Sequence, residues 1–188
     1  TFRAENDIAR CEVAAIFARI SPDYDPSIHY PVSFSDVPMD AWYRNELGYC
    51  VQAGIITGRP DGNFAPMESI DRGELAAMAA RFLELANSGS TSAFADVPAS
   101  YWAHGYIAQL AEKGIVNGNG QGLYLPTEAI SRAETVRIVN GILDRRPGQA
   151  DEATLDRLAA AGAFIDLDKT HWAYYEILEA TYDHQHQK

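Results

Sequence analysis

The apolar residues of the chain fall into short stripes at helical spacing, separated by segments rich in glycine and proline. One stripe comprises Trp42, Leu47, Cys50 and Val51, a spacing that predicts a helix. A second stripe follows Ile70 and comprises Leu75, Met78, Ala79, Phe82 and Leu85. Between the stripes, Gly54 is placed to end the first helix, and Arg59-Pro60-Asp61-Gly62 has the residues of a turn. The pattern therefore predicts a unit of helix, structured loop and helix.

The unit occurs more than once. Residues 34–85 and 94–145 match without a gap in the pairs Phe34 and Phe94, Trp42 and Trp102, Gly54 and Gly114, Gly58 and Gly118, and Arg72 and Arg132. Residues 1–20 match the second half of the unit, and residues 164–182 match its first half. Self-similarity on this scale indicates a repeat architecture, so we treat 1–188 as one domain built from these pieces. The stretches between them are predicted connectors: 21–33, 86–92 and 147–156.

The helix that ends each unit begins with a capping residue and an arginine. The capping-box pattern is met by Ser131 with Glu134 and by Asp71 with Glu74. The arginine follows the capping position at Arg10, Arg72 and Arg132. A cation in a first helical turn opposes the helix dipole, so another role is expected for it. The residues leave two roles open: an anion site formed with free amides of the helix start, or an ion pair with a neighbouring unit.

Composition and charge argue against several classes of function. The chain has 26 acidic and 15 basic residues and a net charge of -11, which argues against a nucleic-acid partner. No apolar run has the length of a membrane span, and we expect any secretion signal to lie outside this segment or to have been removed. The sequence shows no catalytic motif, so we expect no enzyme activity, no cofactor and no metal. Whether Cys11 and Cys50 form a disulfide stays open.

These motifs resemble the S-layer homology (SLH) family. Its repeat opens with Phe-x-Asp-Val and a Trp, passes through Gly-Ile and Gly-x-x-Asp-Gly-x-Phe-x-Pro, and closes on Ile-Thr-Arg-Ala-Glu. Residues 34–74 and 94–134 follow nearly the whole pattern. The resemblance implies an all-α fold of three helix-loop-helix pseudo-repeats with pseudo-threefold symmetry and short loops or very short strands. It also implies a secreted protein associated with the cell wall at the bacterial cell surface.

The resemblance further implies a non-catalytic anchoring module that binds anionic secondary cell wall polysaccharide, including pyruvylated polymer, in grooves between lobes. The alternative is a structural surface-layer or filament assembly module that contacts other copies of the surface-layer protein and has degenerate glycan sites. The predicted carbohydrate-binding residues are Arg132, Ser131, Arg72, Asp71, Arg10, Trp42, Trp102, Trp172, Gly58 and Gly118. The tryptophans have a second interpretation as core residues.

The helix starts differ in how closely they follow the family pattern, and this difference ranks the sites by their expected ability to bind an anionic ligand. Ala9 removes the capping hydroxyl of the first copy, and Asp71 places a carboxylate where an anionic ligand would approach. The groove that uses Arg132 is therefore ranked first for binding, and the other two are expected to be degraded. Asp36, Asp96 and Asp166 are expected to be helix caps or loop braces.

The half-units at the two ends each leave an apolar face without a local partner. Packing the helix that follows Trp172 against the helix that carries Val13 and Phe17 would close three lobes within one chain. Alternatively, an upstream half-unit fills this place and 164–182 begins a fourth lobe.

Overall fold

The computed structural model describes residues 1–87, 91–160, 162 and 164–182. These residues form seven α-helices: α1 (Arg10–Ile20), α2 (Arg44–Gln52), α3 (Arg72–Phe82), α4 (His104–Glu112), α5 (Arg132–Ile142), α6 (Gln149–Ala159) and α7 (Tyr174–Thr181). The all-α prediction is confirmed. Over the described ranges, β-pairing is limited to isolated bridges between Asp7 and Ser131, Ala9 and Ser69, and Asp71 and Ala129.

These bridges surround a pseudo-threefold axis. The backbone N–H of Ile8 donates to the carbonyl of Ile130 (3.2 Å), that of Ile70 donates to Ile8 (3.1 Å), and that of Ile130 donates to Ile70 (3.1 Å). The side chains of these isoleucines are buried in the core. Because each bond passes to the next unit, the last bond returns to the first unit and closes the ring.

The helices pack in pairs around this axis. α1 packs against α2, α3 against α4, and α5 against α7. Each lobe therefore combines the last helix of one unit with the first helix of the following unit. No helix among the described residues is long and apolar enough to cross a membrane.

The expectation that the first and last helices of the chain pack against each other is wrong. α7 packs against α5 rather than α1, and Asn140 Nδ2 donates to the Glu176 carbonyl at 2.9 Å across this pair. The end segments still meet, because the rings of Phe2 and Phe164 lie 5.2 Å apart between centroids. The closure runs through the segments that precede the helices.

The aspartate that recurs at the same position of each unit has a structural reason. Asp36 accepts hydrogen bonds from the N–H groups of Phe64 (3.0 Å) and Ala65 (2.6 Å). Ala65 has φ of 57°, a left-handed conformation that a side chain disfavours and that these bonds hold in place. The same paired bonds join Asp96 to Tyr124 and Leu125, and Asp166 to Phe2 and Arg3. The prediction of loop braces is confirmed.

Helix α6 corrects the prediction of a connector at 147–156. Its first turn carries Asp151, which accepts a hydrogen bond from the Gly148 N–H at 3.0 Å. Leu155 is fully buried, and α6 packs on α7. A glycine cap, acidic residues in the first turn and several alanines were helix signals that the nearby proline obscured.

Candidate functional site

The arginines at the helix starts form a cyclic set of ion pairs between units. The distance from the arginine Nη1 to the glutamate Oε1 is 2.6 Å from Arg10 to Glu74, 2.6 Å from Arg72 to Glu134, and 2.8 Å from Arg132 to Glu12. Each Nε also donates to a carbonyl of the same neighbouring unit, at Phe64, Tyr124 and Phe2. Of the two roles that the sequence left open for these arginines, the structure contains the ion pair.

The amides of these helix starts are occupied as well. The N–H of Arg10 donates to the Glu68 carbonyl (3.0 Å), and the N–H of Cys11 donates to the Pro66 carbonyl (3.0 Å). Equivalent bonds begin α3 and α5, from Arg72 to Glu128, Gly73 to Pro126, Arg132 to Asn6, and Ala133 to Ala4. The expectation that these helix starts have free amides is therefore wrong. A loop of a neighbouring unit supplies the carbonyl groups that accept their hydrogen bonds.

The capping residues point at their own helices. The Asp71 carboxylate accepts the Glu74 N–H at 2.6 Å, and the Ser131 hydroxyl accepts the Glu134 N–H at 3.2 Å. Burial raises the pKa of Asp71 above its ordinary value. Ala9 makes no side-chain cap bond, although its N–H still donates to Glu12 at 3.0 Å. Asp71 and Ser131 thus serve first as caps.

Open grooves nevertheless lie beside the paired arginines. The Arg81 groove is a cavity of about 460 Å³ between the loop at 56–60 and α3, lined by Arg10, Gly58, Arg59, Asp71, Glu74, Arg81 and Trp102. The Arg137 groove is the corresponding cavity one unit later, of about 320 Å³, lined by Arg72, Gly118, Glu128, Glu134, Arg137 and Trp172. The pseudo-threefold repetition therefore builds two grooves with the same plan.

The predicted site residues divide between these places. Arg10, Asp71, Gly58 and Trp102 meet in the Arg81 groove, and Arg72, Gly118 and Trp172 meet in the Arg137 groove. Arg132 instead lines a mostly apolar crevice with Phe2 and Ile16. Trp42 lines neither groove and lies beside Arg19 of α1.

Family comparison agrees with this repeated plan. The model of the S-layer homology domain matches residues 33–76 and 93–136. The chain belongs to the SLH family, with its repeats in tandem. Each matched stretch runs from just before Phe34 or Phe94 to just beyond the capping-box glutamate, so it contains the loop and the helix start that border a groove.

Relatives of this SLH chain carry several different names. It is 31% identical to a cellulosome-anchoring protein of Acetivibrio thermocellus, over 98% of this chain and 41% of that protein. It is 37% identical to S-layer protein EA1 of Bacillus anthracis, over 54% of this chain and 12% of that protein. It is 34% identical to an amylopullulanase of Thermoanaerobacterium thermosulfurigenes, over 77% of this chain and 8% of that protein. The chain therefore spans less than half the length of each.

The repeated tryptophans are surface residues in this SLH structure. Trp42, Trp102 and Trp172 are 58%, 49% and 52% exposed, so their interpretation as core residues is wrong. Gly58 and Gly118 have a packing reason, because a Cβ at either position would lie 2.4 Å from a neighbouring atom. A larger residue would push the groove loop away from Phe34 or Phe94.

Sequence reasoning missed three arginines that line the two grooves. Arg59 lies in the turn after Gly58, Arg81 on the last turn of α3, and Arg137 in the middle of α5. None of them occupies a position of the closing motif, so a motif comparison gave no signal for them. Arg81 follows the capping-box Glu74 by seven residues, and Arg137 follows Glu134 by three. These spacings place each arginine on the helix face of a groove glutamate, and they were the signal available.

Proposed function

We propose that this chain is a non-catalytic module that anchors a longer protein at the bacterial cell surface by binding anionic secondary cell wall polysaccharide, including pyruvylated polymer. The observation that carries the proposal is the Arg81 groove, where three arginines, an exposed tryptophan and a glycine loop line one open cavity. Arginine forms planar, bidentate contacts with carboxylates, and an exposed indole offers a flat face to a sugar ring.

Arg81 is the cation of this groove with the most freedom to meet an anion. The equivalent residue of the preceding lobe is Arg19, which pairs with the Glu46 carboxylate at 2.7 Å. Where that lobe has Glu46, the lobe of Arg81 has Tyr106, and the guanidinium lies over this ring at 5.4 Å from its centroid. Arg81 Nη1 also donates to the Ile55 carbonyl at 3.5 Å, and the other N–H groups and the full charge stay available to another partner.

The acidic residues of the Arg81 groove are already engaged. Glu74 faces Arg10 with one oxygen and the Asp71 N–H with the other. Asp71 caps α3, as described above. Arg59 pairs with Glu68 at 2.8 Å, but both side chains are accessible at the rim, where an ion pair contributes little. The groove can therefore exchange this rim contact for a ligand carboxylate at small cost.

The relatives support a portable attachment role. Related segments occur in proteins named for cellulosome anchoring, for the S-layer and for an amylopullulanase, and this chain covers a minor part of each. One segment shared by proteins with such different names is expected to supply what they have in common. We propose that this shared role is to attach a secreted protein to the outer face of the cell wall.

Substitutions in the Arg81 groove test this proposal by co-sedimentation with purified cell walls. Arg81→Gln should weaken wall binding at least tenfold, and Trp102→Ala should weaken it by a similar factor. Arg157→Gln is the matched control, because Arg157 is an exposed arginine of α6 outside the grooves, and it should bind as the unchanged chain does. Equal binding by Arg81→Gln and Arg157→Gln would contradict the proposal.

The alternative function is assembly of a surface layer or filament through protein–protein contacts. It is favoured by the internal pairing of Arg10, Arg72 and Arg132, which leaves these motif residues as fold-stabilising contacts. Sedimentation velocity without wall material distinguishes the two. Concentration-dependent self-association, together with no wall binding, would favour assembly.

A further inference from the structure

Three asparagines of the chain are each followed by a glycine, and they lie in very different surroundings. The pairs are Asn117-Gly118 and Asn119-Gly120 in the loop after α4, and Asn140-Gly141 in α5. An asparagine side chain can react with the backbone nitrogen of the next residue, and glycine permits this best because it has no Cβ to block the approach. The reaction needs an accessible side-chain amide and a backbone N–H that is not held in a hydrogen bond.

The helix protects Asn140-Gly141. Asn140 is 2% exposed, and its Nδ2 donates to the backbone carbonyl and the carboxylate of Glu176 at 2.9 and 2.8 Å. Gly141 belongs to the last turn of α5, where a backbone N–H donates to the carbonyl four residues earlier. Both reacting groups are engaged, so this pair is expected to be inert.

Hydrogen bonds to its side-chain oxygen restrain Asn119. Asn119 Oδ1 accepts from the N–H of Gln121 at 2.9 Å and from the N–H of Leu123 at 3.3 Å. The first of these bonds is an Asx turn. Because the side chain must leave this position to join the Gly120 nitrogen, the reaction at Asn119 is expected to be slow in the folded chain.

Asn117-Gly118 lacks these restraints. Asn117 is exposed and lines the Arg137 groove. Within the part of the chain that the structure describes, no hydrogen bond holds the Asn117 side chain or the Gly118 N–H. The side chain can therefore turn towards the backbone without losing a partner.

Arg72 activates the same peptide group. Its Nη2 donates to the Asn117 carbonyl at 3.0 Å, while its Nη1 is held by Glu134. A charged donor on a carbonyl oxygen draws electron density from the peptide group, so the N–H that Gly118 contributes to this group loses its proton more easily. The deprotonated nitrogen is the nucleophile of the reaction.

We propose that Asn117 is a site of spontaneous deamidation in the folded chain. The Gly118 nitrogen gives its proton to the solvent and attacks the side-chain carbonyl carbon of Asn117. A C–N bond forms, and the side-chain amide group takes up a proton and leaves as ammonia. Water then opens the resulting succinimide ring. Addition at the side-chain carbon gives aspartate, and addition at the main-chain carbon gives isoaspartate.

The reaction adds a negative charge to the Arg137 groove. The charged residues of its lining are Arg72, Glu128, Glu134 and Arg137, so one more carboxylate gives the groove an excess of negative charge. The Arg81 groove has Thr57 at the equivalent position and keeps its charge. Ring opening by water is not reversed, so the charge accumulates with the age of the molecule. This inference does not depend on the proposed glycan binding.

Peptide mapping of aged protein tests the proposal. The full chain is kept folded in mildly alkaline buffer, digested with trypsin and followed by tandem mass spectrometry, which detects the exchange of NH2 for OH. Cleavage after Lys113, Arg132, Arg137 and Arg145 separates the loop from α5, and fragment ions distinguish the two loop asparagines. A sample taken at time zero corrects for reaction during digestion. We expect Asn117 to react at least tenfold faster than Asn119 or Asn140.

The chain unfolded in guanidinium chloride is the reference for the effect of the fold. The hydrogen bonds that distinguish the three asparagines are then lost, so their rates should become similar. The proposal is overturned if Asn117 stays intact in the folded chain, or if it reacts no faster there than Asn119 or Asn140.

Two exposed loop positions provide matched variants. Asn117→Gln should remove the fast mass gain of the folded chain, because glutamine would have to form a larger ring, and Asn119→Gln should leave it in place. The reverse result would place the reaction at Asn119 and overturn the proposal. Arg72→Gln, with its fold checked by circular dichroism, should slow the reaction at Asn117. An unchanged rate in a folded Arg72→Gln chain would contradict the role of Arg72.

Discussion

At the residue scale, the capping-box glutamates each hold two groups at once. In Glu74, one carboxylate oxygen faces the Arg10 guanidinium and the other accepts the Asp71 N–H. Glu12 and Glu134 repeat this arrangement with Arg132 and Arg72. The same side chain thus stabilises its own helix start and joins two units, which explains an arginine placed against the helix dipole.

The burial of the arginine sets the stability that each glutamate contributes. Arg10 is 3% exposed, whereas Arg132 is 28% exposed in its side chain. Removing one partner of a buried pair costs about 3–5 kcal/mol, while an exposed pair contributes about 0–1 kcal/mol. We expect Glu74→Ala to lower the free energy of unfolding by about 2 kcal/mol more than Glu12→Ala.

Urea denaturation of the two variants measures this difference. Both variants lose the same capping bond to the backbone, so the cap contribution cancels in the comparison. Equal losses of stability for Glu74→Ala and Glu12→Ala would show that the burial of Arg10 does not control the pair.

The cysteines give a second residue-scale prediction. Cys11 and Cys50 are free and buried, and burial raises the pKa of the Cys50 thiol to about 12 and also raises the pKa of Cys11. Only the thiolate is reactive. In the folded chain at pH 8, neither thiol should react with Ellman's reagent, and both should react in urea. Rapid modification under native conditions would contradict this burial.

At the element scale, much of the structure was predictable because local signals set it. The capping boxes at Asp71 and Ser131, the left-handed Gly54 and Gly114 after α2 and α4, and the helical stripes all follow from short-range pattern. The carbonyl groups that occupy the helix-start amides come from another unit. No local pattern reveals such a partner, so the free amides were wrongly expected.

The Asp166 brace gives a prediction for pH dependence. Hydrogen bonds from the Phe2 and Arg3 N–H groups lower the pKa of the Asp166 carboxyl below its ordinary value. A lowered pKa in the folded state adds stability above the unfolded pKa of about 3.9, and this contribution is lost as the pH falls through the folded value. Asp166→Asn should therefore lower the Tm at pH 7, and the difference should shrink below about pH 4.

Thermal unfolding from pH 7 to pH 2.5 checks this expectation. Asp23→Asn is the control, an exposed aspartate in the connector between α1 and α2. The brace would be excluded as a stabilising link between the chain ends if Asp166→Asn and Asp23→Asn had the same Tm at pH 7.

At the scale of the whole molecule, closure of the ring creates three junctions with different contents. Two contain a glycine loop and an arginine groove, and the third contains the apolar crevice beside Arg132. The repeats in the sequence predicted the units, and the resemblance to the SLH family implied their threefold arrangement. The repeated motif did not predict which junctions form grooves with additional arginines, because Arg59, Arg81 and Arg137 lie outside it. We therefore place the Arg81 groove ahead of Arg132 as the proposed glycan site.

The central claim is that the Arg81 guanidinium meets an acidic group of the wall polymer. The most direct measurement is a double-mutant cycle by equilibrium titration of the full chain and Arg81→Gln with solubilised polymer, before and after esterification of the polymer carboxyl groups. We expect esterification to weaken binding by the unchanged chain at least tenfold, and Arg81→Gln then to cost little further affinity. Equal affinity for the native and esterified polymers, or the same loss from Arg81→Gln with both, would contradict it.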